Sequence, residues 1–309
     1  MSVTGPDIQI MPKPRAWRDK VIARAARWVI RPNLALPLPW AMKRRSFAFA
    51  GRTRPSAPGV SQQAIKIAGK TGALYLPEAP TARILWIHGG GFVIGSPRSH
   101  QGMLSYLARA ANAAVIVPKY RRAPEHPFPA AVEDVEAAID VIDATVPDTG
   151  PLILAGDSAG GTLALVALAR ALAQHTPEIA GVLLVSPAVD LDPDRPVPDA
   201  DDMLFPLEMF HRIQRFYIRD ADPTDPRLSP IHADFTGAPP VLIHCCVGEY
   251  LETDSDLLAE RLAAQGVRVT VRKYQNLPHV FHFMVGSSPS ATAALDDLAA
   301  VVRRLGEAP

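Results

Sequence analysis

Cysteine is almost absent from this chain: among 309 residues only Cys245 and Cys246 are cysteines, and they are adjacent. They fall in an expected strand, where neighbouring side chains point to opposite faces. A mutual disulfide is therefore not expected, and a disulfide-stapled secreted domain is excluded. Charge of one sign is lacking too. The formal net charge is +1, without the basic excess of a nucleic-acid binder, so no nucleic-acid partner is expected. No apolar run reaches the length of a membrane-spanning helix. The N-terminal stretch has no apolar signal core followed by a small-residue cleavage site. These absences lead to the expectation of a cytoplasmic protein with no integral membrane segment. The metal-ligand spacings Cys-x-x-Cys and His-Glu-x-x-His are missing, and no metal or organic cofactor is expected.

What is present is an ordinary globular composition, 48% hydrophobic and 20% charged, long enough for one large core or two modest ones. Gln62 to Ala68 and Ala73 to Leu76 flank a Gly-Lys-Thr-Gly turn and read as a hairpin. Beyond it, apolar strands at 83–87, 114–118, 152–155, 182–185, 241–247 and 268–274 alternate with helices at 99–111, 130–144, 162–173, 254–264 and 291–305. Such alternation means an α/β protein with a mostly parallel sheet flanked by helices.

Two blocks interrupt the pattern. Residues 1–55 are basic, with Pro32, Pro37 and Pro39 expected to break any continuous helix. Residues 190–232 are rich in Asp and Pro, with one helical patch at 206–219. Both are too long for plain loops and fall near the carboxyl ends of strands, where α/β enzymes hold their sites. The expected division is a helical cap from 1–55 and 190–232 over a core from 56–189 and 233–309. Arg15 to Arg31 has the pattern of a basic amphipathic helix. It packs on its own protein or touches a membrane or lipid substrate.

The chemistry centres on Gly156-Asp157-Ser158-Ala159-Gly160-Gly161, between a short apolar strand and an apolar helix. Gly-x-Ser-x-Gly in that setting places a serine at the tip of a strained strand-to-helix turn. A Cβ at Gly156 or Gly160 would collide where strand and helix cross. A serine nucleophile needs a base, an acid to orient the base and donors for an oxyanion. His88-Gly89-Gly90-Gly91-Phe92 follows directly on a strand, and its glycines free the backbone to aim N–H groups into a pocket. The expected donors are the amides of Gly90, Gly91 and Ala159, with His88, Gly89 and Asp157 supporting the loops. His279, in the loop after the last strand, is the expected base, with His282 as the runner-up; His244, mid-strand, reads as core. For the acid, Glu249 ends the preceding strand, and Asp254 near the start of the next helix is the alternative. The segment from Tyr120 to Ala130 reads as structural, with Arg121 and Glu125 as an internal ion pair. Phe92, Phe205, Met209, Phe210, Phe216, Tyr217 and Phe281 are candidates for an apolar pocket or for the core.

Together with Tyr120-Arg121-Arg122-Ala123-Pro124-Glu125-His126-Pro127-Phe128-Pro129-Ala130 and His279-Val280-Phe281, these motifs resemble the hormone-sensitive-lipase-like (bacterial family IV) carboxylesterases of the α/β-hydrolase fold. The resemblance spans roughly residues 60–305. It implies an eight-stranded sheet with a cap built from the N-terminus and an insertion, and a serine carboxylesterase acting on short- to medium-chain esters through an acyl-enzyme. It also implies a small-molecule ester substrate, no cofactor, and a homodimer formed through an edge strand. There are two departures: Arg122 stands where the family commonly has Leu, and Glu249-Tyr250-Leu251 where many members have Asp-Pro-Leu. An amide or N-acetyl hydrolase using the same residues, and a non-catalytic ligand-binding protein on the same scaffold, are the alternative readings.

Overall fold

The computed structural model describes residues 5–52, 54, 56–146, 148–196 and 200–307. Thr53 and Pro55 of the N-terminal block, and 197–199 of the insertion, lie outside the described residues. The strands are β1 (Asp7–Ile10), β2 (Ser61–Ile67), β3 (Lys70–Leu76), β4 (Ala82–Ile87), β5 (Ala113–Val117), β6 (Leu152–Asp157), β7 (Ile179–Val185), β8 (Val241–Cys246) and β9 (Val269–Tyr274). They form one sheet in the order β1-β9-β8-β7-β6-β4-β5-β3-β2. The β2–β3 and β3–β5 pairings are antiparallel; the rest of the sheet is parallel. Among the described residues the sheet has nine strands rather than the expected eight. The extra one, β1, adds to the edge beside β9, with Asp7 opposite Thr270 and Ile10 opposite Lys273. Its four residues are all exposed, so no buried apolar pattern announces it, and it belongs to the sheet rather than to a cap.

Period-two alternation sorts the strands into two apolar layers. In β6, Leu152 and Leu154 face one layer while Ile153 and Ala155 face the other. Each such Leu or Ile side chain fully removed from water contributes about 1.5–3 kcal/mol. One layer is covered by α5 (Ala130–Asp140), α7 (Ala159–Gln174) and α9 (Glu252–Ala264), the other by α4 (Gln101–Ala111) and α10 (Pro289–Gly306). The expected helix over 130–144 is broken at Val141, and a single turn, α6 (Ile142–Thr145), follows. Cys245 and Cys246 are free and buried on opposite sides of β8.

The N-terminal block is helical at α1 (Trp17–Ala25), continues through a wide π-turn at Ala26–Ile30 into α2 (Arg31–Ala35), and resumes at α3 (Trp40–Arg52). Pro32 does not end the first run. It falls in the first turn of the second piece, where its missing N–H costs least. Among its described residues the second block carries one α-helix, α8 (Leu207–Tyr217), and a short 3-10 turn at Pro230–His232. The two blocks meet. Trp40 packs edge-on against Phe216 at 5.9 Å, and Arg27 pairs with Asp201 at 2.8 Å.

Arg121 and Glu125 do not pair with each other. The chain returns through the first turn of α5, which brings Asp134 and Glu133 onto Arg121 at 2.8 Å each. Glu125 points outward to Arg44 at 2.6 Å.

Candidate active site

Four loops leave the carboxyl ends of the parallel strands and converge. After β6 the chain turns at Ser158 with φ 54° and ψ −125°. Backbone strain of that kind costs roughly 1–3 kcal/mol and persists only where its surroundings enforce it. Here Ser158 N–H donates to the Val185 carbonyl at 2.8 Å, and the Ser158 carbonyl accepts from Gly161 N–H at 2.8 Å. The strand–helix crossing is as tight as the glycine spacing implies. A Cβ on Gly156 would lie 2.3 Å from the Gly160 carbonyl oxygen, and one on Gly160 would lie 2.1 Å from that of Ile87. α7 begins at Ala159, so its first N–H groups have no acceptor within the helix and point toward Ser158.

The loop after β4 lies across this turn. Gly90 and Gly91 both hold positive φ, 124° and 58°, which glycine adopts freely. Asp157, adjacent to Ser158, holds the loop in place. Its Oδ1 accepts from Gly89 N–H at 3.1 Å and from the Trp86 indole at 2.9 Å, and its Oδ2 pairs with His100 at 3.2 Å. Burial works against the Asp157 carboxylate. His100 and the indole and amide donors outweigh it and keep its pKa below the ordinary range. His88 stacks on Tyr120 at 4.2 Å, and the Tyr120 hydroxyl donates to the His88 carbonyl at 2.7 Å. Burial, with His100 nearby, pushes the His88 pKa down to about 3. The ring is neutral and shapes the loop, its Nδ1 lying 3.0 Å from the Gly89 carbonyl. Arg122, one of the two departures, donates to the Gly95 carbonyl at the far end of the same loop.

The loops after β8 and β9 bring Glu249 and His279 together. Glu249 Oε2 lies 2.6 Å from His279 Nδ1. Its Oε1 accepts from the Ser186 hydroxyl at 2.6 Å and from Cys246 N–H at 2.8 Å. A buried carboxylate with three donors is fixed in place. Burial disfavours the His279 imidazolium. Glu249, by charge and hydrogen bond, and Asp202 by charge prevail and raise the His279 pKa above its ordinary value. His279 Nε2 is buried and has no hydrogen-bond partner among the described residues. The His279 residue lines the same two cavities as Ser158.

The alternative residues are placed elsewhere. Asp254 accepts from Val189 N–H at 2.7 Å and pairs with Arg195 at 2.7 Å, bracing the start of the insertion without touching His279. His282 turns into the core, 3.2 Å from His244, whose other nitrogen lies 3.0 Å from Asp297. Two further residues stand beside the Glu249–His279 pair that the sequence pattern does not single out. Ser186 orients Glu249. Asp202, buried, accepts from Leu204 and Phe205 N–H at 2.7 and 2.8 Å and from Tyr250 N–H at 3.2 Å, and burial raises its carboxyl above the ordinary range. The first two of those bonds form an Asx-type turn. That signal was available in the sequence, but several neighbouring Asp residues share it.

Ser158, His279 and Phe205 line both apolar cavities. The narrower, about 50 Å³, is bounded by Gly91, Phe92, Phe210, Ile213 and Tyr217. The wider, about 340 Å³, reaches under the N-terminal helices to Ile22, Ala26, Ile30, Leu34 and Phe47. Phe281 lines the wider one, while Met209 and Phe216 pack in the core. Among the described residues no cluster of His, Cys, Asp or Glu is arranged to hold a metal ion. None of their helices is long and apolar enough to cross a membrane.

The family described as alpha/beta hydrolase fold matches residues 84–283. An acetyl-hydrolase of Streptomyces hygroscopicus is 36% identical over 71% of this chain and 75% of its own length. An esterase of Acinetobacter venetianus is 33% identical over 80% of this chain and 84% of its own. Among solved structures, a hormone-sensitive lipase from a metagenome library superposes with a TM-score of 0.84 at 31% identity, covering 96% of this chain and all of that one.

Proposed function

The chain belongs to the α/β-hydrolase family, among its hormone-sensitive-lipase-like members, and is a carboxylic ester hydrolase; we propose that it cleaves esters of short to medium acyl chains by two-step acyl transfer on Ser158. The observation that carries this reading is the 2.6 Å contact of Glu249 with His279 Nδ1, which leaves the opposite nitrogen unpartnered on a residue that lines both cavities with Ser158.

His279 Nε2 takes the Ser158 hydroxyl proton as Oγ bonds to the ester carbonyl carbon. Glu249 holds the imidazole tautomer and stabilises the imidazolium. The oxyanion rests on the amides of Gly90, Gly91 and Ala159, each worth on the order of 3 kcal/mol in the transition state. The C–O bond breaks, His279 protonates the leaving alcohol, and an acyl-Ser158 remains. Water, deprotonated by His279, then releases the acid and restores Ser158. Asp157, His88 and Gly89 support the donor loop. No step calls on a metal or organic cofactor.

The narrow cavity is assigned to the acyl chain and the wide one to the alcohol. Residues 1–55, apart from β1, and 190–232 form the cap over the core segments 56–189 and 233–309. An acetyl group suits the narrow cavity, and the acetyl-hydrolase similarity favours the short end of the range. The non-catalytic alternative is set aside by the activities for which the relatives are named. Amides on the same residues are tested by a paired ester and anilide substrate.

The test is hydrolysis of p-nitrophenyl esters across acyl lengths, parent beside Ser158→Ala. The expected result is turnover that peaks at short chains and falls by about 10⁴-fold or more in the variant. Full activity in Ser158→Ala would overturn the mechanism. An optimum at long chains would overturn the cavity assignment.

A further inference from the structure

One surface is out of keeping with the rest of the molecule. Between residues 8 and 77 Asp19 is the only acidic residue, and it is buried, accepting from the Ser288 and Ser290 hydroxyls at the start of α10. That contact sets the rotation of the Trp17–Ala25 helix. Ile22, Ala26 and Ile30 line the wide cavity on its inner side. Trp17, Val21, Arg24 and Trp28, at helical spacing, are left outside. Trp17 is 69% exposed and Trp28 74%, and Val29, Leu36, Leu38 and Met42 continue the exposed apolar surface. Arg15, Arg18, Lys20 and Arg24 are exposed alongside. None of the four forms an ion pair with a carboxylate among the described residues.

We propose that this face docks on an anionic lipid bilayer surface. Exposed tryptophans beside unpaired cations are the chemistry of the membrane interface, where the ring sits at headgroup level and basic side chains meet phosphate. Charge chooses between occupants. A second copy would set one basic face against another, which repels, whereas an anionic bilayer complements it. The surface is continuous with the site: Ile30 is exposed at its rim and also lines the wide cavity that reaches Ser158. The enzyme thus draws an apolar ester from the lipid layer into that cavity, a step that rests on the acyl-transfer reading above.

The test is sedimentation of the full chain with vesicles of phosphatidylcholine, with and without phosphatidylglycerol, at low and high salt. Tryptophan emission is followed in parallel, since Trp40 and Trp86 are buried and an interfacial blue shift reports Trp17 and Trp28. Binding is expected only with phosphatidylglycerol at low salt. It should weaken about tenfold in Trp17→Ser/Trp28→Ser and on the order of fivefold per charge in Arg18→Glu or Lys20→Glu. Both sets of variants should keep the parent circular dichroism and hydrolysis of a water-soluble ester. No vesicle binding at low salt, equal binding to pure phosphatidylcholine, or unchanged binding in the tryptophan variant overturns the proposal. So does a parent dimer in solution that the tryptophan variant dissolves without any lipid binding. Vesicle binding by a chain that fails on every ester keeps the docking surface and removes only the delivery of substrate.

Discussion

The floor and the roof of the cavities are built on opposite principles. The floor, made by the loops after β4, β6, β8 and β9, is polar and closely satisfied: Asp157 has three donors and so does Glu249. The roof, made by the N-terminal helices and α8, is apolar. It is held by ring contacts such as Trp40 with Phe216 and by the solvent-facing Arg27–Asp201 pair, the kind of pair worth about 0–1 kcal/mol. Chemistry needs groups fixed to fractions of an ångström. Selection of an apolar substrate needs volume and shape. The floor therefore tolerates almost no change, and the roof tolerates a good deal.

The sharpest way to break that contrast is to disturb the floor without changing its volume. Glu249→Gln keeps the shape but removes the charge that holds the imidazolium, and kcat should fall about 10³- to 10⁴-fold. A loss under tenfold on a soluble ester would remove Glu249 from the relay. Asp157→Asn should cost less, about 10- to 100-fold in kcat with KM little changed, because it loosens the donor loop rather than the relay. Steady-state kinetics that show a KM effect alone would mean that Asp157 serves binding instead.

In the roof, Ile213→Ala enlarges the narrow cavity. The acyl-length optimum should move to longer chains with the peak rate within a few-fold of the parent, roughly the 1–3 kcal/mol discrimination per methylene that apolar pockets allow. An unmoved optimum would place the acyl chain elsewhere. The smallest effect is expected where roof meets floor. His279 must be neutral to take a proton, so its raised pKa sets where activity falls on acidification. Asp202→Asn removes a negative charge that favours the imidazolium, so that pKa drops and the acid limb of kcat/KM moves to lower pH. A shift to higher pH, or none, in a pH–rate profile would contradict this.

The floor was the more legible region in the sequence for the same reason that it is rigid. Gly156 and Gly160 are small because backbone crosses backbone there, and a steric demand of that kind leaves a local mark that needs no partner to be read. Choice of partner leaves no such mark. Proximity along the chain matches Arg121 with Glu125 four residues away, but the turn into α5 gives it Glu133 and Asp134 instead. β1 carries no buried side chain and exists because β9 offers an open edge.

The sequence by itself determined the alternation of strands and helices, the strained serine turn and the glycine loop beside it, since each follows from local sterics and apolar periodicity. Only the tertiary structure set Glu249 rather than Asp254 against His279, turned His282 toward His244, brought Ser186 and Asp202 beside the Glu249–His279 pair and rotated the basic helix so that Trp17 and Trp28 face outward. Those outcomes depend on strand order and on which side chains burial brings within hydrogen-bond reach across tens to hundreds of residues, a relation that no short stretch of the chain carries.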